Sequence, residues 1–116
     1  MSFKYIFEVK VSPGKDREFI EHWHNGSIPI QECQGALGTR LLKKRGEEGV
    51  YLAVAEWKTK EDRDAAMKEI QEGKTERAKA VAEWGKNEDY GTVTRLGNFD
   101  EIDDVLPGED RVSKSL

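Results

Sequence analysis

There is a single cysteine, Cys33, in the 116 residues. No disulfide can form within the chain, and no cysteine cluster can hold zinc or an iron–sulfur centre. A lone thiol with no base beside it in sequence reads as an ordinary small side chain. No apolar run approaches the roughly 20 residues of a membrane span. The start, Met1-Ser2-Phe3-Lys4-Tyr5, lacks the organisation of a signal peptide, so a cytoplasmic protein with no membrane partner is expected. A long basic stretch is lacking as well: the formal net charge is −4 and the densest basic run is Lys43-Lys44-Arg45. That run falls at a turn and is too short for a phosphate-binding surface, so no nucleic acid partner is expected. Neither an internal repeat nor a low-complexity tract is present.

What the chain does have is clear periodicity. From Phe3 to Val11 the residues alternate, with Phe3, Tyr5, Phe7, Val9 and Val11 on one side, as in a strand with one buried face. Ser12-Pro13-Gly14 breaks it. A helix is predicted from about Lys15 to Asn25, with Phe19, Ile20 and Trp23 as its apolar stripe and Asp16 in its first turn. Asn25-Gly26 reads as its stop, and Pro29 argues against an unbroken helix through Ile28. Residues Ser27 to Gly35 are then a turn or a second short helical piece. Strands follow at Leu37 to Lys44 and Val50 to Trp57, joined by the glycine-bounded Arg45-Gly46-Glu47-Glu48-Gly49. Thr59 is a natural N-cap for a helical region that runs to about Trp84, interrupted near Gly73. A last strand spans roughly Tyr90 to Leu96.

The order strand, helix, strand, strand, helix, strand predicts an α+β fold. Its simplest closed form is the ferredoxin-like βαββαβ layout, a four-stranded antiparallel sheet with helices on one face. The first and third strands are central in that layout. The third strand agrees, since it is apolar on both sides: Val50, Leu52 and Val54 on one, Tyr51, Ala53, Ala55 and Trp57 on the other. Its helix-free face needs a cover, and a second copy of the same sheet supplies one, giving a homodimer and a dimeric α/β barrel. Residues 1–98 form this domain; 99–116 are an acidic C-terminal tail, mostly unstructured, with Phe99, Ile102, Val105 and Leu106 as anchors.

Three stretches resemble the antibiotic-biosynthesis monooxygenase family. They are Val9-Lys10-Val11-Ser12-Pro13-Gly14-Lys15 with Phe19 and Trp23 beyond it, Gln34-Gly35-Ala36-Leu37-Gly38 leading into Thr39-Arg40-Leu41-Leu42, and Tyr51 through Asp62. The resemblance covers about Tyr5 to Leu96 and implies a dimeric α/β barrel with a pocket between each sheet and its helices. It further implies a small-molecule ligand and, for part of the family, oxidation of polycyclic aromatic compounds without flavin or metal. Haem-degrading relatives are similar in using an Asn on the first strand, with a Trp and a His on the second helical region. This sequence has no Asn between Phe3 and Val11 and no His after His24.

The candidate chemistry centres on His22-Trp23-His24. At i and i+2 on a helix the two imidazoles point about 160° apart and cannot share one metal, so no metal site is expected. His24 lies nearer the apolar stripe and is the candidate catalytic base, since histidines titrate near neutrality; His22 falls on the polar side, a turn after Glu18. Tyr5, Trp23, Tyr51, Trp57 and Trp84 are the candidate substrate-binding residues, enough aromatic surface to line an apolar pocket. Each also fits as plain core. Trp84 sits beside Arg77 on the helix wheel, where it caps a pocket mouth or packs against the tail or a neighbouring subunit. Arg40 is a candidate for an anionic substrate group. The expected function is that of a cofactor-independent, monooxygenase-like enzyme acting on a small or aromatic organic compound. The alternative is a non-catalytic ligand-binding or stress-associated dimeric module on the same fold.

Overall fold

The computed structural model describes residues 2–84 and 90–111, Trp84 by its backbone alone. Strand β1 (Phe3–Val11) leads into helix α1 (Asp16–Ile30), then strands β2 (Ala36–Lys43) and β3 (Val50–Trp57), helices α2 (Lys60–Glu72) and α3 (Glu76–Trp84), and strand β4 (Gly91–Asp100). All neighbours in the sheet are antiparallel and the order is β2-β3-β1-β4, so β1 and β3 are central. This is the ferredoxin-like α+β arrangement.

Register assigns the faces. Phe3, Tyr5, Phe7 and Val9 of β1 stand opposite Trp57, Ala55, Ala53 and Tyr51 of β3. These residues carry the core on the helical side. One cluster joins Phe3, Trp57 and Ala66 to Cys33; a second joins Val9, Val11 and Tyr51 to Phe19. The buried residues of α2 and α3 are small, Ala66 and Ala78, while Met67 stays exposed. Ile6, Leu52, Val54, Leu42 and Phe99 occupy the opposite, helix-free face.

Two boundaries differ from those the sequence predicts. α1 does not stop at Asn25-Gly26 but continues to Ile30, with Gly26 buried and Pro29 inside the last turn. A proline there forfeits a single backbone bond, and the Ser27 hydroxyl adds one back by donating to the Trp23 carbonyl at 2.7 Å. β4 is also longer than Tyr90 to Leu96. Phe7 pairs with Arg95 and Ile6 with Gly97, so Leu96 is the extra residue of a bulge and pairing resumes as far as Asp100. Phe99 and Asp100, expected in the tail, therefore close the sheet. Past them, the Glu101 amide donates to the Ser2 carbonyl at 2.9 Å.

The predicted cap of α2 is present: the Thr59 hydroxyl accepts from the Asp62 amide at 3.1 Å. Gly73, at φ 68°, ends that helix in the left-handed region where a side chain would be strained. Arg77 then binds the helices together. It donates twice to Glu69, at 2.6 Å each, and once to the Glu32 carbonyl at 2.8 Å. The guanidinium holds the Glu69 carboxyl down at about 2. Burial pushes the neighbouring Cys33 thiol up, against an opposing pull from Arg77.

Candidate functional site

A space lies between the C-terminal half of α1 and the sheet. Trp23 and Ile30 roof a cavity of about 100 Å³, and Phe7, Ala55 and Trp57 form its floor. Its few polar side chains come from Ser27, Gln31 and Thr39; Glu56 also borders it, but register sets the Glu56 side chain on the helix-free face with Lys4. The Ser27 hydroxyl already donates to Trp23, and the Thr39 hydroxyl donates to the Val54 carbonyl at 3.1 Å. The Glu56 carboxyl is held below its usual range by a bond from Lys4, then by one from Ser2. Lys4 itself bridges Glu56 at 2.8 Å and Glu101 at 2.9 Å.

Trp23 and Thr39 also border a second, more open recess of about 520 Å³ between α1 and the edge strand β2. Ile20, Leu41 and Tyr51 line it, and His24, Arg40 and Lys43 stand at its margin. Two of the five candidate aromatics thus meet in the inner cavity, Trp23 and Trp57. Trp23, Tyr51 and His24 meet in the outer groove. Tyr5 joins neither: its ring lies 5.6 Å from Phe7 and under the Arg63 guanidinium, 5.4 Å away, which also covers Phe3 at 5.1 Å. The Trp84 side chain lies outside the described residues.

The two histidines diverge as their spacing requires. His24 is exposed at the groove. His22 is not on a solvated polar face beside Glu18; it is half-buried with its ring 5.0 Å from that of Tyr90. The extension of α1 beyond Asn25 explains why Ser27 and Ile30 went unrecognised as lining residues. Phe7 was legible as a core position of β1 but carried no signal separating core from cavity wall. Among the described residues no three His, Cys, Asp or Glu side chains group as a metal site would need.

Tyr51 anchors the far end of this region. Its hydroxyl donates to the Asp16 carboxylate at 2.5 Å, pinning the first turn of α1 to β3. That bond first, then burial and the Asp16 charge, push the phenol up to about 12 from 10.0. The folded value lies above the unfolded one, so the contribution is whole below pH 10 and is lost as pH rises from 10 to 12. Tyr51→Phe is expected to cost roughly 1–2 kcal/mol at neutral pH and to flatten stability between those alkaline values. Thermal melts from pH 7 to pH 12 check it; equal melting of both proteins at pH 7 would show that the bond contributes nothing.

This combination, helices packed on one face of a four-stranded sheet with an apolar cavity between, is matched in sequence. Residues 2–84 fit the model of the antibiotic biosynthesis monooxygenase family, and the chain belongs to that family. Solved structures share the fold at low identity. SnoaB, described as a cofactor-independent oxygenase from Streptomyces nogalater, is 20% identical with a TM-score of 0.65, over 91% of this chain and 97% of that one. A variant of MhuD with two manganese protoporphyrin IX molecules per active site is 21% identical with a TM-score of 0.69, over 91% and 99%. An antibiotic biosynthesis monooxygenase homologue from Caulobacter crescentus is 19% identical with a TM-score of 0.64, over 88% and 91%. No curated protein matches.

Proposed function

We propose that the protein is a cofactor-independent, monooxygenase-like enzyme that takes a small or aromatic organic compound into the cavity beneath α1. The observation that carries this is the lining: Trp23 and Trp57 both border the cavity, and Trp23 and Thr39 also border the groove that holds His24. Flat apolar walls suit an aromatic ring, and a few fixed polar atoms suit its orientation. His24 at the mouth serves as general base. It removes a proton from a hydroxylated ring system, and the electron-rich anion is the form that reacts with dioxygen. Conversion of a ring CH₂ to a carbonyl places one oxygen atom on carbon, and the other leaves as water with the two hydrogens.

A second reading, a ligand-binding module without catalysis, is favoured by one detail: the cavity's hydroxyls, Ser27 and Thr39, are already bonded to backbone carbonyls. A porphyrin fits less well, because both histidines sit on α1, one against Tyr90 and one at the outer margin. Oxygen uptake with a hydroxylated tricyclic arene, run beside tryptophan quenching by the same compound, separates these readings. Quenching with uptake supports the enzyme, and quenching alone supports the module. Absence of both, with a Soret shift on added haemin, would transfer the site to porphyrin.

The functional unit in this proposal is a cytoplasmic homodimer joined through the helix-free sheet face. Leu42 and Phe99 are exposed there, beside the half-buried Ile6, Leu52 and Val54. Such a patch is self-complementary under a two-fold axis. Val54→Asp places a charge at its centre, on a strand bonded at both edges. The variant is expected to sediment as a monomer where the parent is a dimer; equal sedimentation would remove this face as the interface.

A further inference from the structure

Strand β2 gives the outer groove a single cation. Its Thr39, Leu41 and Lys43 pair with Ala55, Ala53 and Tyr51 of β3. Tyr51 packs against Phe19 of α1, so the alternation of side chains sets Lys43 on the groove side with Thr39 and Leu41. Arg40, the residue that the sequence suggests for an anionic group, pairs with Val54 and falls on the helix-free face. Lys43 is exposed and makes no ion pair among the described residues. Three carboxylates around that end of the groove are engaged elsewhere. Asp16 accepts from Tyr51 at 2.5 Å, Glu21 lies 3.5 Å from Arg17, and Glu47 lies 2.6 Å from Lys44. Glu48 acts on the Tyr51 phenol but forms no bridge to Lys43. Among the described residues no acidic side chain lines the groove, whose floor is Ile20, Trp23, Leu41 and Tyr51.

Size limits what can end on that ammonium. An apolar cavity of about 150 Å³ holds one benzene, and the space beneath α1 is about 100 Å³. A fused polycyclic system therefore does not fit inside it. The cavity and the groove share Trp23 and Thr39 as walls. Lys43 stands four residues beyond Thr39, about 14 Å along the strand, and its flexible four-carbon stem can reach back over part of that length. We infer that the ligand is a single-ring aromatic carboxylate, with its ring against Trp23 where cavity and groove adjoin and its carboxylate on the Lys43 ammonium. A carboxylate rather than a phosphate follows from the donors. One lysine offers a compact single charge, and Arg40, the planar fork nearby, is turned to the other face. Lys43 is thus a specificity-determining residue, selecting ligands whose acidic arm spans the groove. This rests on the aromatic-ligand site proposed above and adds the charge and size of what it takes.

Isothermal titration of the full-length chain with 3-(4-hydroxyphenyl)propionate and with its neutral amide isolates the effect of the charge. The acid is expected to bind about 3- to 10-fold more tightly, between an exposed ion pair and a charged hydrogen bond. Lys43→Gln is expected to erase that preference and Lys43→Arg to keep it. Arg45→Gln removes the same charge from the exposed hairpin and is expected to leave the preference in place. Equal binding of acid and amide by the parent overturns the inference. So does a preference that survives Lys43→Gln, or one that Arg45→Gln erases as fully; loss in His24→Ala instead would place the anion on the imidazole. If neither single-ring compound binds but a tricyclic arene quenches tryptophan fluorescence, the aromatic site stands and the size and charge assigned to its ligand fall. If none of the three binds, both fall.

Discussion

Trp57→Ala is expected to remove about 3–5 kcal/mol of folding stability, near the upper end for a core truncation. The indole is 3% exposed and ends β3, where its backbone pairs with Phe3 on one side and Ala36 on the other. It packs with Phe3, Cys33 and Ala66, so it joins the sheet to α2 and to the turn after α1. The same ring forms part of the cavity floor. Truncation would enlarge a space that already exists rather than leave one the neighbours can fill, and the cost rises with the void that remains. Domains of this size have about 5–15 kcal/mol in total, so the variant would be near its limit. Urea titration measures the loss. A change below about 1 kcal/mol would mean that the neighbours collapse onto the site, and the cavity would then be soft rather than preformed.

The second large effect concerns His24. If it is the base at the cavity mouth, His24→Ala is expected to lower turnover by about 10²–10⁴-fold, the usual span for a lost general base. Affinity measured by tryptophan quenching should hold, because the apolar walls that bind the ring are untouched. His24 is exposed and outside both core clusters, so folding is expected to be unaffected. His22→Ala is the matched control: that ring is half-buried against Tyr90, and its loss should cost stability before turnover. A His24→Ala protein with full turnover would leave the cavity without its base and return the protein to the ligand-binding reading.

Much of the fold was legible because local and global signals agree. The alternation from Phe3 to Val11, the Thr59 cap, and a third strand apolar on both faces each had one consistent structural outcome. The misplaced boundaries arose where tertiary packing overrode local signals. Asn25, Gly26 and Pro29 each weaken a helix, yet Gly26 is buried and Pro29 falls in the final turn. The last strand was expected to end near Leu96, but a bulge there absorbs the irregularity and pairing resumes. The site was harder to read than the fold. Whether Trp23 and Trp57 fill their neighbourhood or leave space depends on how α1 packs over the sheet, which no periodicity encodes. His22 and His24 were correctly separated by helical geometry, but which of them faces the protein depended on where Tyr90 falls.

Arg77 touches Glu69 of α2 and the carbonyl of Glu32, just past α1, from its own place on α3. A lysine could not satisfy that set, since only the planar fork donates in those directions at once. Arg77 therefore ties the three helices to one another, and its loss is expected to loosen them together. Loosening at either end of this tie would be felt at the roof of the cavity, through the C-terminal turn of α1.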